Sequence, residues 1–569
     1  MSSSNESDFL IGVDYGTESV RALIVEAATG KEVASAVWGY AHGTSGVVLD
    51  AQDPNLARQH PADYHQGFVH AVRGALSQAA DWPGFAADRI RGIGVDTTGS
   101  TPIPVDANGV ALAMQPEFGQ DPMAMAWLWK DHTSYAEAAE ITDLALNEGR
   151  PYLAKCGGTY SSEWYWSKIL RCERQAPKVA AAAYGWVELC DYVPGFLTGH
   201  RRPENLVRSA CAAGHKAMHH PDWQGLPAED FLERLSPGLG RFRQRYDPEV
   251  RTIDHCAGGL LPELAAQVGL PAGVPVAAGA FDAHLGAVGA GAAPGVLIKI
   301  LGTSTCDCIV APMDAGIPDV PGVCGIVPGS ILPGMLGIEA GQSAVGDIFQ
   351  WYLGRIAPGG CGSGPEDHAR FNAEAARWRP GESGLVALDW HNGNRTVLVD
   401  PLLSGLLVGQ TLHTTPAEVY RAWIEATAFG ARKIIDRLAE YGVNIERVIN
   451  CGGIAEKSPL VMQIYADVCG RPMEVSRSPL TCALGAAMAG GVAGGRYPDI
   501  PAAQKAMSGV RSDRYLPDAP AVAVYDRLYR LYSDLHDAFG LAGASVPLDG
   551  IMKELMAIRR EVRQGQEAD

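Results

Sequence analysis

FLIGVDYGTESVRALIVE (Phe9 to Glu26) and VLIKILGTSTCDCIVA (Val296 to Ala311) are the two segments that decide the fold that this sequence predicts. Each reads as a β-branched strand, a Gly-Thr turn with hydroxyl residues, and a second strand. One such hairpin is an ordinary turn, because Gly and Thr are common in turns. Two of them, each near the start of one half of the chain, indicate a duplicated domain that faces itself across a ligand. The small-residue stretch from Ala283 to Pro294 is flexible enough to carry the crossing between the halves.

Short β-branched strands alternate with helical patterns outside these hairpins, which is typical of α/β architecture. Further strands are predicted at Ile90 to Val95, Val274 to Ala278 and Arg447 to Asn450. Thr415 and Glu418 form a capping box, with proline at the first helical position between them, and so predict a helix start. Ser458-Pro459 repeats this arrangement, and Gly470 predicts the end of that second helix.

Size and charge exclude several classes of function. A chain of 569 residues, 47% hydrophobic and 19% charged, predicts two or more globular domains with a cleft between them. The 46 Lys and Arg against 64 Asp and Glu give a net charge of −18, which disfavours nucleic acid and anionic membranes as partners. The start MSSSNESDFL has no basic or apolar leader pattern, and no later stretch has the apolar length of a membrane span. We therefore expect a cytoplasmic protein without a membrane partner.

Phosphate chemistry is indicated by the hairpins, because the sequence contains neither GxxxxGK[ST] nor a GxGxxG after a strand. In GVDYGTES, Asp14 ends a strand, and the turn at Gly16 and Thr17 can present N–H groups and a hydroxyl to phosphate oxygens. Asp14 would then lie where Mg²⁺ and its waters bridge the phosphates. Taken alone, this motif is equally compatible with Asp14 as a cap of the turn. The second turn, at Gly302, Thr303 and Ser304, favours a phosphate clasp from both halves.

These strings resemble the FGGY family of carbohydrate kinases over nearly the whole chain. GVDYGTESVRALI resembles the first phosphate motif, LGTST the second, and CGGIAEKSPLVMQIYADVCGRPMEV (Cys451 to Val475) the adenosine motif. The resemblance implies an α/β fold of two actin-like (ribonuclease H-like) ATPase domains with an interdomain cleft. Residues 1–285 would form the sugar-binding domain with the first phosphate hairpin. Residues 286–569 would form the ATP-binding domain with a helical tail.

The same resemblance implies roles for individual residues. In GAFDAHLGAVGAG, Asp282 corresponds to the catalytic base that accepts the proton of a sugar hydroxyl. Read from the sequence without the family, Asp282 is an N-cap. ATP and Mg²⁺ are the implied cofactors, with Asp14 and Asp282 near the ion through water. The implied sugar contacts are Gly99, Lys130, Asp131, Lys216, Asp282 and Glu339. The implied nucleotide contacts are Asp14, Gly16, Thr17, Gly302, Thr303, Ser304, Gly452, Gly453 and Lys457.

Four further strings bear on the sugar: LWKDHT, GGTYSSEWYWSKIL, AAGHKAM and GIEAGQSAVGDIF. They resemble family members that convert L-ribulose to L-ribulose 5-phosphate in L-arabinose catabolism, although Gly99 stands where some relatives have alanine. The ATP motifs leave open another pentulose or pentitol, such as D-ribulose or xylulose. A non-catalytic sugar sensor and an actin-like chaperone or filament ATPase are further alternatives, and a homodimer is left open.

Overall fold

The computed structural model describes residues 7–357, 362 and 364–565, and it contains two large mixed β-sheets, each flanked by helices. The strands before the second hairpin are β1 (Phe9–Tyr15), β2 (Ser19–Glu26), β3 (Glu32–Gly39), β4 (Val48–Leu49), β5 (Ala57–Gln59), β6 (Ile90–Thr97), β7 (Pro102–Val105), β8 (Ala126–Trp127), β9 (Gly185–Glu188), β10 (Arg208–Ser209), β11 (Val250–Arg251), β12 (Cys256–Gly259), β13 (Pro275–Ala277) and β14 (Ala280–Phe281). The helices of this half are α1 (Pro61–Ala79), α2 (Tyr135–Asn147), α3 (Tyr165–Gln175), α4 (Pro177–Ala182), α5 (Leu189–Thr198), α6 (Ala210–Lys216), α7 (Glu229–Leu235), α8 (Pro237–Gln244), α9 (Pro262–Val268) and α10 (Asp282–Ala290).

The second half repeats the pattern with a new set of elements. Its strands are β15 (Val296–Leu301), β16 (Thr305–Pro312), β17 (Gly325–Pro328), β18 (Met335–Ala340), β19 (Val386–Leu388), β20 (Leu406–Val408), β21 (Arg447–Cys451), β22 (Met473–Ser476) and β23 (Val510–Tyr515). Its helices are α11 (Gly346–Trp351), α12 (Pro365–Ala375), α13 (Pro416–Glu440), α14 (Gly453–Lys457), α15 (Pro459–Cys469), α16 (Thr481–Ala493), α17 (Ile500–Met507), α18 (Ala519–Gly540) and α19 (Ile551–Gln564).

The two sheets share one topology, as expected for a duplicated actin-like fold. The first sheet runs β12-β13-β6-β1-β2-β3, and β14 also pairs with β6. The second runs β17-β18-β16-β15-β21-β22-β23. In each, the hairpin that carries the Gly-Thr turn is antiparallel, and its first strand pairs in parallel with a later strand, β6 or β21. This arrangement brings the carboxyl ends of parallel strands to one edge, where ligands bind in open α/β sheets.

Helix α16 joins the halves, because in sequence it lies between β22 and β23 of the second sheet but it packs against β1 and β6 of the first. A Cβ atom on Gly94 would lie 1.7 Å from the carbonyl oxygen of Ala486. On the other side, a Cβ on Gly485 would lie 1.8 Å from the carbonyl oxygen of Leu285 in α10. The chain around 283–294, which we expected to be flexible, is therefore a buried helix up to Ala290, and its small residues serve close helix packing. The boundary between residues 285 and 286 stays a prediction.

Local expectations from capping are confirmed. Thr415 and Glu418 make a reciprocal capping box at the start of α13, and the Ser458 side chain accepts from the Val461 N–H at the start of α15. Gly470 ends α15 in the left-handed conformation, as predicted. No helix in the described ranges is both long enough and apolar enough to cross a membrane.

Candidate active site

Three carboxylates come together at the carboxyl edge of the first sheet. Asp14 in β1 lies directly opposite Asp96 in β6, and β14, which also pairs in parallel with β6, leads into Asp282 at the start of α10. Burial is the main reason why the pKa of each carboxyl is raised, and Asp14 adds repulsion at both Asp96 and Asp282. Carboxylate oxygens gathered in this way fit Mg²⁺. Asp96 was missed by the sequence reading, although GVD at residues 94–96 repeats GVD at residues 12–14.

Asp282 is a buried carboxyl with a fixed orientation and a raised pKa. Its Oδ1 accepts from the N–H of Ala283 at 2.7 Å, which fixes the orientation of the carboxyl group. Burial, followed by the neighbouring Asp14, raises its pKa to about 7. A carboxyl with a pKa near neutrality can take up a proton in one step and release it in the next. The N-cap interpretation does not describe its position, because Asp282 is the first residue of α10 and Phe281 is the N-cap.

A buried ion pair across the two halves lies beside Asp282. Lys216, at the end of α6, places Nζ 3.3 Å from Oε1 of Glu339 in β18. Burial opposes both charges, but their mutual attraction prevails, so the pKa of Lys216 is raised and that of Glu339 is lowered. The Lys216 ammonium also lies 5.5 Å from the ring centres of Phe281 and Trp164. The cluster offers a cation, an anion and aromatic faces, a combination that suits a polyhydroxylated ligand.

Two histidines complete this cluster, and the sequence reading missed both. His215 Nδ1 and His284 Nε2 each lie 3.5 Å from Oε2 of Glu339. Burial lowers the pKa of both rings, so they are neutral at physiological pH. Within the described part of the chain, neither ring makes a hydrogen bond. In the sequence, the one indication of their role is their closeness to predicted site residues. His215 directly precedes Lys216, and His284 lies two positions after Asp282.

Gly99 is placed against an aromatic ring. A Cβ atom there would lie 2.0 Å from Cδ1 of Phe281, so the ring occupies the space that a larger residue would need. Phe281 is the ring that flanks Lys216, so Gly99 supports one wall of the cluster. Contact between Gly99 and the sugar stays a prediction.

Asp131 departs from its predicted role as a sugar contact. It is fully buried, accepts from the Ala57 N–H at 2.7 Å and the Thr133 hydroxyl at 2.6 Å, and forms an ion pair with Arg58. The Arg58 guanidinium lies 3.5 Å from the centre of the Trp127 ring. These protein groups occupy the carboxylate, so Asp131 fixes the loop that bears the predicted sugar residues. Lys130, its neighbour, is partly exposed.

The loop from Leu128 to Asp131 is hydrogen-bonded to the first phosphate hairpin and to a buried lysine. Trp129 Nε1 donates to the hydroxyl of Thr17 at 3.1 Å. Lys168 Nζ donates to the carbonyl oxygens of Ser100 and Leu128, each at 2.9 Å. One ammonium group thus holds the segment after Gly99 and the segment before Trp129 at a fixed separation.

Each Gly-Thr turn is closed by a hydrogen bond from the N–H of its glycine to a later carbonyl oxygen. The Gly16 N–H donates to the carbonyl oxygen of Ser19, and the Gly302 N–H donates to that of Ser304, both at 3.0 Å. Gly302 and Thr303 are exposed, and Ser304 is partly exposed. In the described ranges, the N–H groups of Thr303 and Ser304 donate to no protein acceptor. They are free to donate to an anion, and phosphate binding by this turn stays a prediction.

The predicted adenosine segment lies at the end of β21. Gly452 has a φ of 93°, and a Cβ there would lie 2.4 Å from the carbonyl oxygen of Leu301, so this position requires glycine. Gly453 begins α14, is exposed, and has no described atom within 4 Å of its Cβ position. Lys457 ends α14 on the surface. The open face beside Gly453 can accommodate a flat ring, and the nucleotide contacts stay predictions.

Comparison with known proteins bears on both halves. Models of the FGGY family of carbohydrate kinases match residues 9–289 with the N-terminal domain and residues 297–494 with the C-terminal domain. A ribulokinase of Vibrio parahaemolyticus is 42% identical, covering 92% of this chain and 95% of that protein. A ribulokinase of Geobacillus thermodenitrificans is 40% identical, with 98% and 99% covered. The solved structure of xylulose kinase from Rhodospirillum rubrum is 25% identical, has a TM-score of 0.75, and covers 93% of this chain and 98% of that one.

Proposed function

The chain belongs to the FGGY family of carbohydrate kinases, and we propose that it transfers the γ-phosphoryl group of ATP to L-ribulose, giving L-ribulose 5-phosphate and ADP. The ribulokinase relatives, at 42% and 40% identity, favour this sugar over the xylulose handled by the structural relative at 25%. The reaction belongs to L-arabinose catabolism.

The observation that carries this proposal is the position of Asp282 between two groups of side chains. On one side are Asp14 and Asp96, beside the first phosphate hairpin, and on the other is the Lys216–Glu339 pair. Charges on both sides shift the pKa of Asp282, because Asp14 and Glu339 raise it and Lys216 lowers it. A sugar hydroxyl bound by the pair would therefore lie next to the base and next to the phosphate site.

The chemistry needs alignment and one proton transfer. The terminal hydroxyl of L-ribulose gives its proton to the Asp282 carboxylate while its oxygen bonds to the γ-phosphorus, and the bond from that phosphorus to the β-phosphate oxygen of ADP breaks. Lys216 and Glu339 orient the sugar hydroxyls through a charged donor and a charged acceptor. Closure of the halves excludes water, which would otherwise take the place of the sugar.

Residues of both halves would hold the nucleotide. The turn at Gly16 and Thr17 and the turn at Gly302, Thr303 and Ser304 would hold the phosphates from the two halves, with the free N–H groups of Thr303 and Ser304 as donors. The open backbone at Gly452 and Gly453, with Lys457, would receive the adenosine. Asp14 and Asp282 would hold Mg²⁺ through water, and that ion neutralises charge on the phosphates. ATP is abundant in the cytoplasm, so we place the enzyme there.

A panel of sugars tests the proposal. ADP release is measured with L-ribulose, D-ribulose, D-xylulose and ribitol for the parent, for Asp282→Asn, and for the exposed-carboxylate control Asp549→Asn. We expect the highest kcat/KM with L-ribulose, and a loss of about 10²–10⁴-fold in kcat in Asp282→Asn, because a general base contributes that much. Nucleotide binding should be retained.

Equal turnover of all sugars would remove the assignment of L-ribulose. Undiminished transfer in Asp282→Asn would remove Asp282 as the base. ATP turnover that does not depend on any sugar would instead favour an ATPase of another kind.

A further inference from the structure

Two buried histidines and a glutamate face one another without hydrogen bonds between them. His215 and His284 are each 2% exposed, and Glu339 is 8% exposed. In the described part of the chain, the four ring nitrogens and Oε2 of Glu339 all lack a hydrogen-bond partner. Buried polar groups in proteins are nearly always hydrogen-bonded. Unpartnered atoms gathered at one place therefore indicate that a ligand binds there.

The distances between these atoms are those of ligands around a metal ion. Nδ1 of His215 and Nε2 of His284 each lie 3.5 Å from Oε2 of Glu339. One ligand atom from each of the three residues lies within 4.8 Å of the other two. An N–H···O hydrogen bond spans about 2.7–3.2 Å. Neighbouring ligand atoms of a tetrahedral zinc site, with bonds of about 2.0–2.2 Å, are about 3.3–3.6 Å apart. The spacing in the cluster fits an ion better than a direct hydrogen bond.

Three elements from both halves of the protein hold this cluster in place. His215 lies in α6, His284 in α10 and Glu339 in β18. The His215 ring packs against β17, because a Cβ atom on Gly325 would lie 2.2 Å from its Nδ1, and Gly325 pairs with Glu339 in the sheet. The centres of the two imidazole rings are 4.7 Å apart. An ion bound here would connect two helices of the first half to a strand of the second.

The charge of the cluster favours a transition metal over Mg²⁺. Lys216 Nζ lies 3.3 Å from Oε1 of Glu339 and compensates the carboxylate, whereas Oε2 faces the two rings. Burial lowers the pKa of both rings, so each is neutral and has a lone pair to offer. Mg²⁺ depends on carboxylate and water oxygens, whereas imidazole nitrogen suits zinc, copper and nickel.

We propose that His215, His284 and Glu339 bind a divalent transition-metal cation, in the first instance Zn²⁺, through one nitrogen of each ring and Oε2 of the carboxylate. Water would complete the coordination. The ion and the sugar would exclude each other, because Glu339 is also a predicted sugar contact. This exclusion rests on the proposed function, whereas the metal site does not.

A zinc titration of the full-length protein, without nucleotide or sugar, tests the site. Mg²⁺ is present in large excess to fill sites that prefer oxygen ligands, and a chromophoric chelator competes for Zn²⁺. The proteins are the parent, His215→Gln, His284→Gln and the exposed-histidine control His413→Gln. We expect one ion per chain in the parent and the control, and at least a tenfold weaker affinity in the two site variants. No binding by the parent, or equal affinity in the site variants, would overturn the proposal.

Co²⁺ in place of Zn²⁺ identifies the ligands by absorption spectroscopy. Nitrogen and oxygen ligands give visible bands without the near-ultraviolet charge-transfer band of a cobalt–thiolate bond. We expect visible bands alone in the parent, and their loss in both histidine variants. A thiolate band would place the ion at cysteine residues instead and would overturn the assignment.

Two further measurements separate loss of a ligand from loss of the fold. Lys216→Met should bind Zn²⁺ severalfold more tightly than the parent, because it removes a cation that repels the ion. A damaged fold would weaken binding, and weaker or equal binding in Lys216→Met would contradict the site. Added Zn²⁺ should raise the melting temperature of the parent and leave that of His284→Gln unchanged. Equal shifts in both proteins would exclude His284 as a ligand.

Steady-state kinetics test the exclusion of sugar. At saturating MgATP, Zn²⁺ should raise the KM for L-ribulose in the parent and leave kcat unchanged. An unchanged KM at zinc concentrations that fill the site would overturn the exclusion. The metal titrations contain no sugar, so an enzyme that acted on another sugar would still bind the ion, and the two proposals fail separately.

Discussion

The ring of His65 illustrates how a single buried group can make the stability of this protein depend on pH. Burial lowers its pKa to about 4, while its Nε2 lies 2.9 Å from the Tyr192 hydroxyl and its ring stacks on Phe196 at 4.2 Å. A histidine whose pKa is lowered in the folded state stabilises the fold above its unfolded pKa of 6.5. This stability is lost as the pH falls from 6.5 towards 4.

We therefore predict that the protonation of His65 makes the free energy of unfolding about 2 kcal/mol lower at pH 5 than at pH 7.5. Each pH unit below 6.5 costs about 1.36 kcal/mol of this free energy. Urea unfolding at the two pH values, with the parent and His65→Gln, measures it. The variant should lose that part of the pH dependence. An identical difference in both proteins would show that other groups dominate.

Lys216 and Glu339 are predicted to depend on each other. Removing one charge of a buried pair leaves the other uncompensated, which costs about 3–5 kcal/mol. We expect Lys216→Met and Glu339→Gln each to destabilise the protein by that order, and the double variant to recover much of the loss. Urea unfolding of all four proteins gives the coupling energy. Additive losses would mean that the pair does not interact as the 3.3 Å contact indicates.

The contacts that the sequence did not predict involve partners that are distant in the chain or belong to another element. Asp131 lies in a string that resembles a sugar-binding segment, but its partner Arg58 is 73 positions earlier, and only the fold shows that the pair is buried. His215 and His284 acquire meaning only because both face Glu339. By contrast, the roles predicted for Asp282 and Lys216 rest on strings of adjacent residues that resemble family motifs, and they stay predictions. A sequence motif identifies a residue and its neighbours along the chain. The charge state of that residue depends on its burial, which only the fold shows.

The strands and capped helices were predictable because their signals are local. Val296 to Leu301 was expected as a strand and is one, and the Thr415 capping box starts α13. The stretch from Ala283 to Pro294 was misread as flexible, because Gly and Ala serve close packing and flexible loops alike. Only the approach of α16 distinguishes the two cases.

Packing of α16 on the first sheet gives a prediction at Gly94. Its Cβ position is 1.7 Å from a backbone carbonyl oxygen, which cannot move aside without shifting the helix. We expect Gly94→Ala to lower the free energy of unfolding by about 1–3 kcal/mol or more, as overpacking does. Gly39→Ala, at the end of β3 with no described atom within 4 Å of the Cβ position, is the matched control and should be nearly neutral. Equal effects at both positions would contradict the packing argument.

Ion pairs at the rim connect the two halves of the protein. Lys155 Nζ lies 2.6 Å from Asp319 Oδ1, and Glu163 lies 3.8 Å from Arg395. Both pairs join the region before α10 to the region after it, as the deeper Lys216–Glu339 pair does. A pair that forms only when the halves are together favours the closed form over an open one, and therefore contributes to ligand affinity more than to folding.

We predict that Lys155→Ala weakens the binding of L-ribulose, measured with a non-hydrolysable ATP analogue present, by up to about fivefold at low salt, since an exposed pair contributes about 0–1 kcal/mol. At high salt the parent should bind as weakly as the variant, because the pair is screened. Calorimetric titrations at the two salt concentrations measure this, and Lys178→Ala, an exposed lysine without a salt bridge among the described residues, is the control. If Lys155→Ala kept the affinity of the parent at low salt, the rim pair would have no part in closure, and the buried Lys216–Glu339 pair would be the connection that holds the halves together.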